Sequence, residues 1–333
     1  MGITLTGFRR IPLGTWPTLL QEAPRLSEMI GRRVLIKRDD VGELGLAGNK
    51  VRKLEFLLGD AAETGADTVI TLGALQSNHA RLTAAAAARL GLRCELVLYR
   101  SVPRSGAAYE ESGNMLLDRL FGAVVHTRAT RAEAESFAEE LAEKRRAAGR
   151  NALVIPVGGS NGLGSLGYVA AAAEIEAQLR ERRIEQARII APLGSCGTAA
   201  GLVVGGSQLP WSFDFPCVRA AAEPSRTDLS QMISQTADVL GIEAPSMEKV
   251  QVTDRTLGAG YGQPTEGVWQ ALRTIAGREG VVLDPVYTGK AAHHLLTATE
   301  FEPDVPIVFV HTGGASGLFG YAPEATRSLA PNE

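Results

Sequence analysis

Thr68-Val69-Ile70-Thr71-Leu72-Gly73-Ala74-Leu75-Gln76-Ser77-Asn78-His79 passes from an aliphatic run into a small polar loop, and the alanine-rich stretch Ala80 to Leu90 follows. A short apolar run ended by glycine reads as a buried strand, and the longer stretch after it as a helix. Cys94 to Tyr99 is strand-like again. Strands joined through a helix of this length need a crossover, so they lie parallel in a sheet covered on both faces. Moving outward, Val34-Leu35-Ile36, Ala123-Val124-Val125 and Leu153-Val154-Ile155 read as further strands. An amphipathic helix is expected near Leu19 to Ile30, and helices over 109–120 and 131–148. Pro156 to Gly164 supports neither period and reads as a hinge. A second series follows it: helix 165–182, strand Ile189-Ile190, helix 198–206, strand Val218 to Ala222, helices 226–240 and 265–278, and strand Ile307 to Val310. The pattern predicts an α/β fold of two doubly wound, mainly parallel sheets, with a site in the cleft between two lobes.

A chain of 333 residues has the length for two lobes and a sizeable core. Its formal charge of −3 gives no basic surface for nucleic acid or an anionic membrane. No apolar run reaches the roughly 18 residues that span a bilayer. The segment with Thr4, Thr6, Arg9 and Arg10 lacks the apolar core of a signal peptide, so a cytoplasmic protein is expected. Cys94, Cys196 and Cys217 stand far apart, and neither a disulfide framework nor a metal site is expected.

Several loops carry chemistry. In Gly45-Leu46-Ala47-Gly48-Asn49-Lys50-Val51-Arg52-Lys53-Leu54-Glu55, small residues precede a lysine at the start of a helical period. The positive end of the helix dipole disfavours an ammonium there, and a free amine attacks aldehydes and carries protons. The competing reading is a solvated charged turn. Gly73 to His79 sits between strand and helix, where Ser77, Asn78 and backbone N–H groups can hold a carboxylate or phosphate, or simply cap the helix. His79 reads as a capping or packing residue, or as an acid. Gly194-Ser195-Cys196-Gly197-Thr198 precedes a helix of small residues and suits an anion nest, without a Walker or dinucleotide signature. Tyr261 and Tyr287, each framed by Gly and Pro, are placed to stack on a flat ring or move a proton, unless they are core tyrosines. His311-Thr312-Gly313-Gly314 adds a hydroxyl at the same sheet edge. A lysine, a phosphate nest, a carboxylate loop, phenols and a hydroxyl together suit pyridoxal phosphate and a small amino acid.

The order Gly48-Asn49-Lys50, Gln76-Ser77-Asn78-His79, Gly194-Ser195-Cys196-Gly197-Thr198, Tyr261-Gly262, Asp284-Pro285-Val286-Tyr287-Thr288-Gly289-Lys290 and His311-Thr312-Gly313-Gly314 resembles the D-cysteine desulfhydrase and 1-aminocyclopropane-1-carboxylate deaminase family. These are pyridoxal-phosphate enzymes of fold type II, the tryptophan-synthase-β-like fold. The resemblance implies a large cofactor-binding domain of residues 1–52 and 162–333, a small domain of 53–161, and a homodimer. It implies that Lys50 carries the cofactor and exchanges the Cα proton, and that Asn78 lies beside its phenolic oxygen. Ser77, Asn78, His79 and Thr288 are then substrate contacts, with Ser77 at the carboxylate. Gly194 to Thr198 hold the phosphate, Tyr287 lies against the ring, Tyr261 is a second active-site phenol, and Thr312 meets the pyridine nitrogen. The reaction implied is α,β-elimination on a three-carbon amino acid, with D-cysteine the leading substrate. Alternatives are an L-cysteate sulfo-lyase, a ring-opening deaminase, an amino-acid racemase or, from a different class, a non-catalytic binder of a phosphorylated metabolite. Thr288 and His79 side with the desulfhydrase-like members. Ala47 and Glu223 depart from expectation, Ala47 by standing where a second glycine is usual.

Overall fold

The computed structural model describes residues 3–219, 222–299, 301–302 and 304–329, and the side chains of 222–224 lie outside that description. Among the described residues, ten strands form two sheets. In chain order they are β1 (Leu20–Glu22), β2 (Val34–Arg38), β3 (Thr68–Ala74), β4 (Arg93–Tyr99), β5 (Val124–Arg128), β6 (Ala152–Ile155), β7 (Ala187–Ile190), β8 (Trp211–Pro216), β9 (Val250–Thr253) and β10 (Ile307–His311). One sheet has the order β5-β4-β3-β6 with every pair parallel. The other runs β1-β2-β10-β7-β8-β9, and only its edge strand β1 pairs antiparallel. Every residue of β3 and of β10 is buried, as the continuous apolar runs require of strands covered on both faces.

Close helix packing joins the segments that matter for the site. Helix Lys50–Glu63 lies on helix Gly162–Glu181, which lies in turn on helix Gly197–Gly206. The contacts are backbone against backbone. A Cβ on Gly167 would come within 2.3 Å of the Arg52 carbonyl oxygen, and one on Gly201 within 2.3 Å of the Ser165 carbonyl oxygen. Glycine thus lets three helix axes approach where a side chain would separate them. Two loops are thereby held side by side, one leading to Lys50 and one leading to Gly197.

Four expected elements differ from the structure. The helix near Leu19 to Ile30 is strand β1 followed by a short helix, Pro24–Ile30. Pro24 at its first turn forces Ala23 out of the helical region, so no helix runs through from Leu19. Residues 109–120 divide into Ala107–Glu110 and Asn114–Leu120, because Gly113 adopts φ 60 between them. The strand expected at Val218 to Ala222 is β8 instead, with Ala220 and Ala221 outside the described residues. Trp211-Ser212-Phe213-Asp214-Phe215 alternates apolar and polar residues as a strand does, and Asp214 is buried in it, paired with Arg188. The stretch Pro156 to Gly164 turns sharply at Gly158 and Gly159, both at positive φ, and then begins a helix capped by Asn161.

Candidate active site

The carboxyl ends of β3, β7 and β10 open on one cleft of about 730 Å³, counting the solvent space at its mouth. Lys50, Ser77, Asn78 and His79 line it, facing Gly194, Ser195, Cys196 and Thr198. Tyr261, Tyr287 and Thr312 complete the wall, with Asn49, Tyr99 and Arg219 beside them. Its described lining residues include no Asp or Glu. Such a surface favours anions.

Lys50 is the first residue of helix Lys50–Glu63, and its amine donates to the Asn49 side-chain oxygen at 3.1 Å. Burial lowers the amine to about 8, opposed by the Asp284 carboxylate. Desolvation is thus the main cause, where the sequence pointed to the helix dipole. The loop before it is unusual: residues 45 to 48 all have positive φ, including Leu46 at 64 and Ala47 at 49. A left-handed L-residue costs roughly 1–2 kcal/mol, so the conformation needs support. Arg81, one turn beyond Ser77, supplies it by donating to the carbonyls of Gly45 and Ala47. The solvated-turn reading of this motif fails, because Arg52, Lys53 and Glu55 have no exposed surface. Arg52 is bidentate to Asp39 at 2.8 Å and also pairs with Glu174, while Glu55 accepts from the N–H groups of Leu13 and Gly14.

The loop before helix Gly197–Gly206 forms a cradle. Asn49 donates to the Thr198 hydroxyl at 2.9 Å, linking the lysine loop to this one. Ser195 and Ser160 share a hydrogen bond of 2.8 Å, and the Lys53 amine donates to the Ser160 hydroxyl at 2.8 Å and to the Gly158 carbonyl at 3.2 Å. Burial, and then the Lys50 charge, push Lys53 well below its ordinary value. An arriving dianion would reverse that shift. A Cβ on Gly158 would meet the Ser195 hydroxyl at 2.2 Å, and one on Gly197 would meet the Lys53 amine at 2.8 Å. The N–H of Gly197 is already spent on the Ser195 carbonyl, so Gly197 offers space here rather than a free donor. Cys196 takes φ 64, and burial pushes its thiol up to about 12, so it stays protonated near neutral pH.

The opposite wall is built from more distant segments. Ser77 caps helix Asn78–Leu90 by accepting from the Ala80 N–H at 3.1 Å, which leaves its hydroxyl proton to donate. Asn78 accepts from the buried Asn114 amide at 2.8 Å; Asn114 also donates to the Gln76 carbonyl and accepts from Ser316. His79 shares a 2.8 Å hydrogen bond with Thr71, whose own proton goes to the Ile155 carbonyl. The shared proton is therefore on Nε2, and Nδ1 is left without a partner among the described residues. Burial and the two lysines hold this imidazole neutral, well below its ordinary value. The hydroxyls of Tyr261 and Tyr287 lie 2.6 Å apart, and the Tyr287 ring lies beside Gly194. Lys290 fixes the Tyr261 loop by donating to the Leu257 and Gly260 carbonyls, both at 2.6 Å.

Thr288 does not face the cleft, which corrects its expected place among substrate contacts. It is fully buried, and its hydroxyl donates to Asp284 at 2.6 Å. The turn that starts helix Thr288–Thr297 sends Tyr287 one way and Thr288 the other. Asp284 also accepts from the N–H groups of Val286, Tyr287 and Thr288. Glu223 lies outside the described side chains. Sequence reasoning did not single out Tyr99, Arg219, Asn114 or the phosphate-side place of Lys53: Tyr99 ends a strand, Asn114 and Lys53 belong to helices, and Arg219 stands in the connection after β8, where the sequence suggests a strand.

The family description of a pyridoxal-phosphate dependent enzyme matches residues 11–313. The chain belongs to that family. It is 43% identical over 322 residues to a D-cysteine desulfhydrase of Klebsiella pneumoniae (strain 342), covering 96% of this chain and 98% of the relative. The crystal structure of an ACC deaminase homologue superimposes with a TM-score of 0.89 at 39% identity, covering 98% of each chain. A fungal L-serine ammonia-lyase from Rhizomucor miehei, at 16% identity and a TM-score of 0.66 over 96% of this chain and 99% of its own, shares the fold. The fold is thus that of the tryptophan-synthase-β-like enzymes, and the cofactor is pyridoxal phosphate. The site fits this cofactor: hydroxyls and a buried amine line a cradle that a Cβ at Gly158 or Gly197 would fill, and no described carboxylate lines the cleft. No helix among the described residues is long and apolar enough to cross a membrane.

Proposed function

We propose that the enzyme converts D-cysteine and water to pyruvate, ammonia and hydrogen sulfide. The observation that carries this reading is the 43% identity with a D-cysteine desulfhydrase over nearly the full length of both chains. Bound pyridoxal phosphate supplies the sink for the electron pair released when the Cα–H bond breaks. Lys50 is the residue that holds the cofactor. Its amine, lowered to about 8 by burial, is then poised to take the Cα proton near neutral pH. Ser195, Thr198, Ser160 and Lys53 hold the phosphate, and Thr312 meets the ring nitrogen. Ser77, with the N–H groups at the start of its helix, holds the substrate carboxylate. Asn114 orients Asn78 at the cofactor's phenolic oxygen, and Tyr287 lies against the ring with Tyr261 behind it. The imidazole of His79, neutral and anchored on Thr71, shapes the wall. The enamine left by elimination is hydrolysed after release. A cytoplasmic homodimer completes the reading, and sedimentation of the holoenzyme checks the dimer.

A screen of the purified holoenzyme tests the substrate. Pyruvate and sulfide are expected from D-cysteine and little from L-cysteine. Ring opening of aminocyclopropane carboxylate should be at least about a hundredfold slower, a gap of about 2.7 kcal/mol. Comparable ring opening, or a preference for L-cysteate, overturns the assignment of substrate.

A further inference from the structure

Past Pro216 the chain keeps an extended path, with Cys217 bridged to Leu193 and the Val218 N–H donating to the Leu193 carbonyl at 3.0 Å. This carries Arg219 to the carboxyl edge of the large sheet, next to the cradle and within the cleft. Its guanidinium carbon lies 5.4 Å from the centre of the Tyr261 ring, and Tyr99 and Tyr287 line the cleft with it. Tyr261 in turn shares its hydroxyl with Tyr287. A cation and three phenols therefore form one side of a cleft whose described lining has no carboxylate.

Resting on the reading above, we propose that Arg219 receives the negative charge carried away by the β-substituent, and so selects substrates whose leaving group departs as an anion. In the step concerned, the Cα proton passes to the Lys50 amine, the Cα–Cβ double bond forms, and the Cβ–S bond breaks with its electron pair on sulfur. Hydrosulfide is stable as an anion near neutral pH and needs only a cation beside it. Hydroxide from serine would need a proton as it leaves. The phenols here are poor acids for that purpose, since burial raises both Tyr261 and Tyr287 above the ordinary phenol range. Arg219 is always charged, and its planar donors suit a large, soft anion at the edge of the phenol cluster. Arg219 is thus a specificity-determining residue for the elimination.

The test compares the parent holoenzyme with Arg219→Met and Arg219→Lys. Elimination is measured on D-cysteine, 3-chloro-D-alanine and D-serine, and solvent deuterium exchange at Cα on D-alanine, which has no leaving group. The parent should favour D-cysteine and 3-chloro-D-alanine over D-serine by at least about a hundredfold. Arg219→Met should lose at least about tenfold in kcat on the first two while exchange falls less than about twofold, and Arg219→Lys should recover most of the loss. Equal losses in exchange and elimination, or no loss in elimination, overturn the inference by giving Arg219 a structural part or none. A parent that releases chloride but not sulfide overturns the D-cysteine reading, and the Arg219 comparison then proceeds on 3-chloro-D-alanine. A parent that eliminates from neither overturns both.

Discussion

The phosphate side of the cleft and its substrate side are held by different means. At the cradle, Ser195 to Thr198 are neighbours in sequence, delivered together by β7 and the helix that follows, with Ser160 and Lys53 leaning in across tightly packed glycines. The substrate wall draws Ser77, Tyr99, Arg219, Tyr261 and Tyr287 from separate segments, and parts of it are positioned by groups behind them. Asn114 holds Asn78, Lys290 holds the Tyr261 loop, and Tyr321 donates to the Gly262 carbonyl at 2.7 Å. The lesson is about separability. Changes in the cradle should act on cofactor affinity, and changes behind the wall on substrate.

The largest effect tests the cradle. Ser195→Ala with Thr198→Val removes two donors to a dianion, each worth roughly 1.5–3 kcal/mol, so the cofactor dissociation constant should rise at least about tenfold in equilibrium dialysis. Unchanged affinity would remove this loop from the phosphate site. A smaller effect tests the wall: Asn114→Ala deletes the donor to Asn78. A neutral hydrogen bond contributes about 1 kcal/mol, so KM should rise about fivefold, with a loss of cofactor affinity smaller than that of the cradle variant. If cofactor affinity fell as far as in the cradle variant, the two sides would be one unit.

A third effect, read as stability rather than affinity, concerns the support shared by both sides. Asp118 is fully buried near Arg81, and neither of its carboxyl oxygens has a partner among the described residues. Burial pushes it up to about 8 from an ordinary value of 3.8. Between those values the unfolded chain releases the proton while the folded chain keeps it, so this residue makes stability fall as pH rises through that window. The melting temperature of Asp118→Asn should therefore exceed that of the parent by a margin that grows from about pH 5 to about pH 8. A margin that stays constant with pH would mean that Asp118 is ionised in the fold.

What could be read from the sequence follows the same division. Lys50, the Ser77 loop and the cradle stand in strand-loop-helix units, where local pattern fixes both the element and the edge of the sheet it faces. The parallel sheets were legible for the same reason, since unbroken apolar runs such as β3 and β10 admit little else. Arg219 and Asn114 gave no local signal, because their roles come from contacts with residues 42 and 36 positions away, Tyr261 and Asn78. Thr288 was misread because sequence adjacency to Tyr287 says nothing of which way a turn sends the next side chain. Ala47 was noticed only as a departure, and the structure gives it a cause: it sits in left-handed backbone, φ 49, under the Arg81 clamp.

Lys50, Lys53 and Lys290 are three lysines near the cleft whose amines burial pulls below the ordinary value, so chemistry alone does not choose among them. Geometry does: only Lys50 of the three lines the cleft, while Lys53 is turned onto Ser160 and Lys290 onto two carbonyls. Reduction of the holoenzyme with borohydride, followed by digestion and peptide mapping, tests this directly. The pyridoxyl label is expected on Lys50 alone, and a label on Lys53 or Lys290 would contradict the placement of the cofactor and with it the assignment of the whole site.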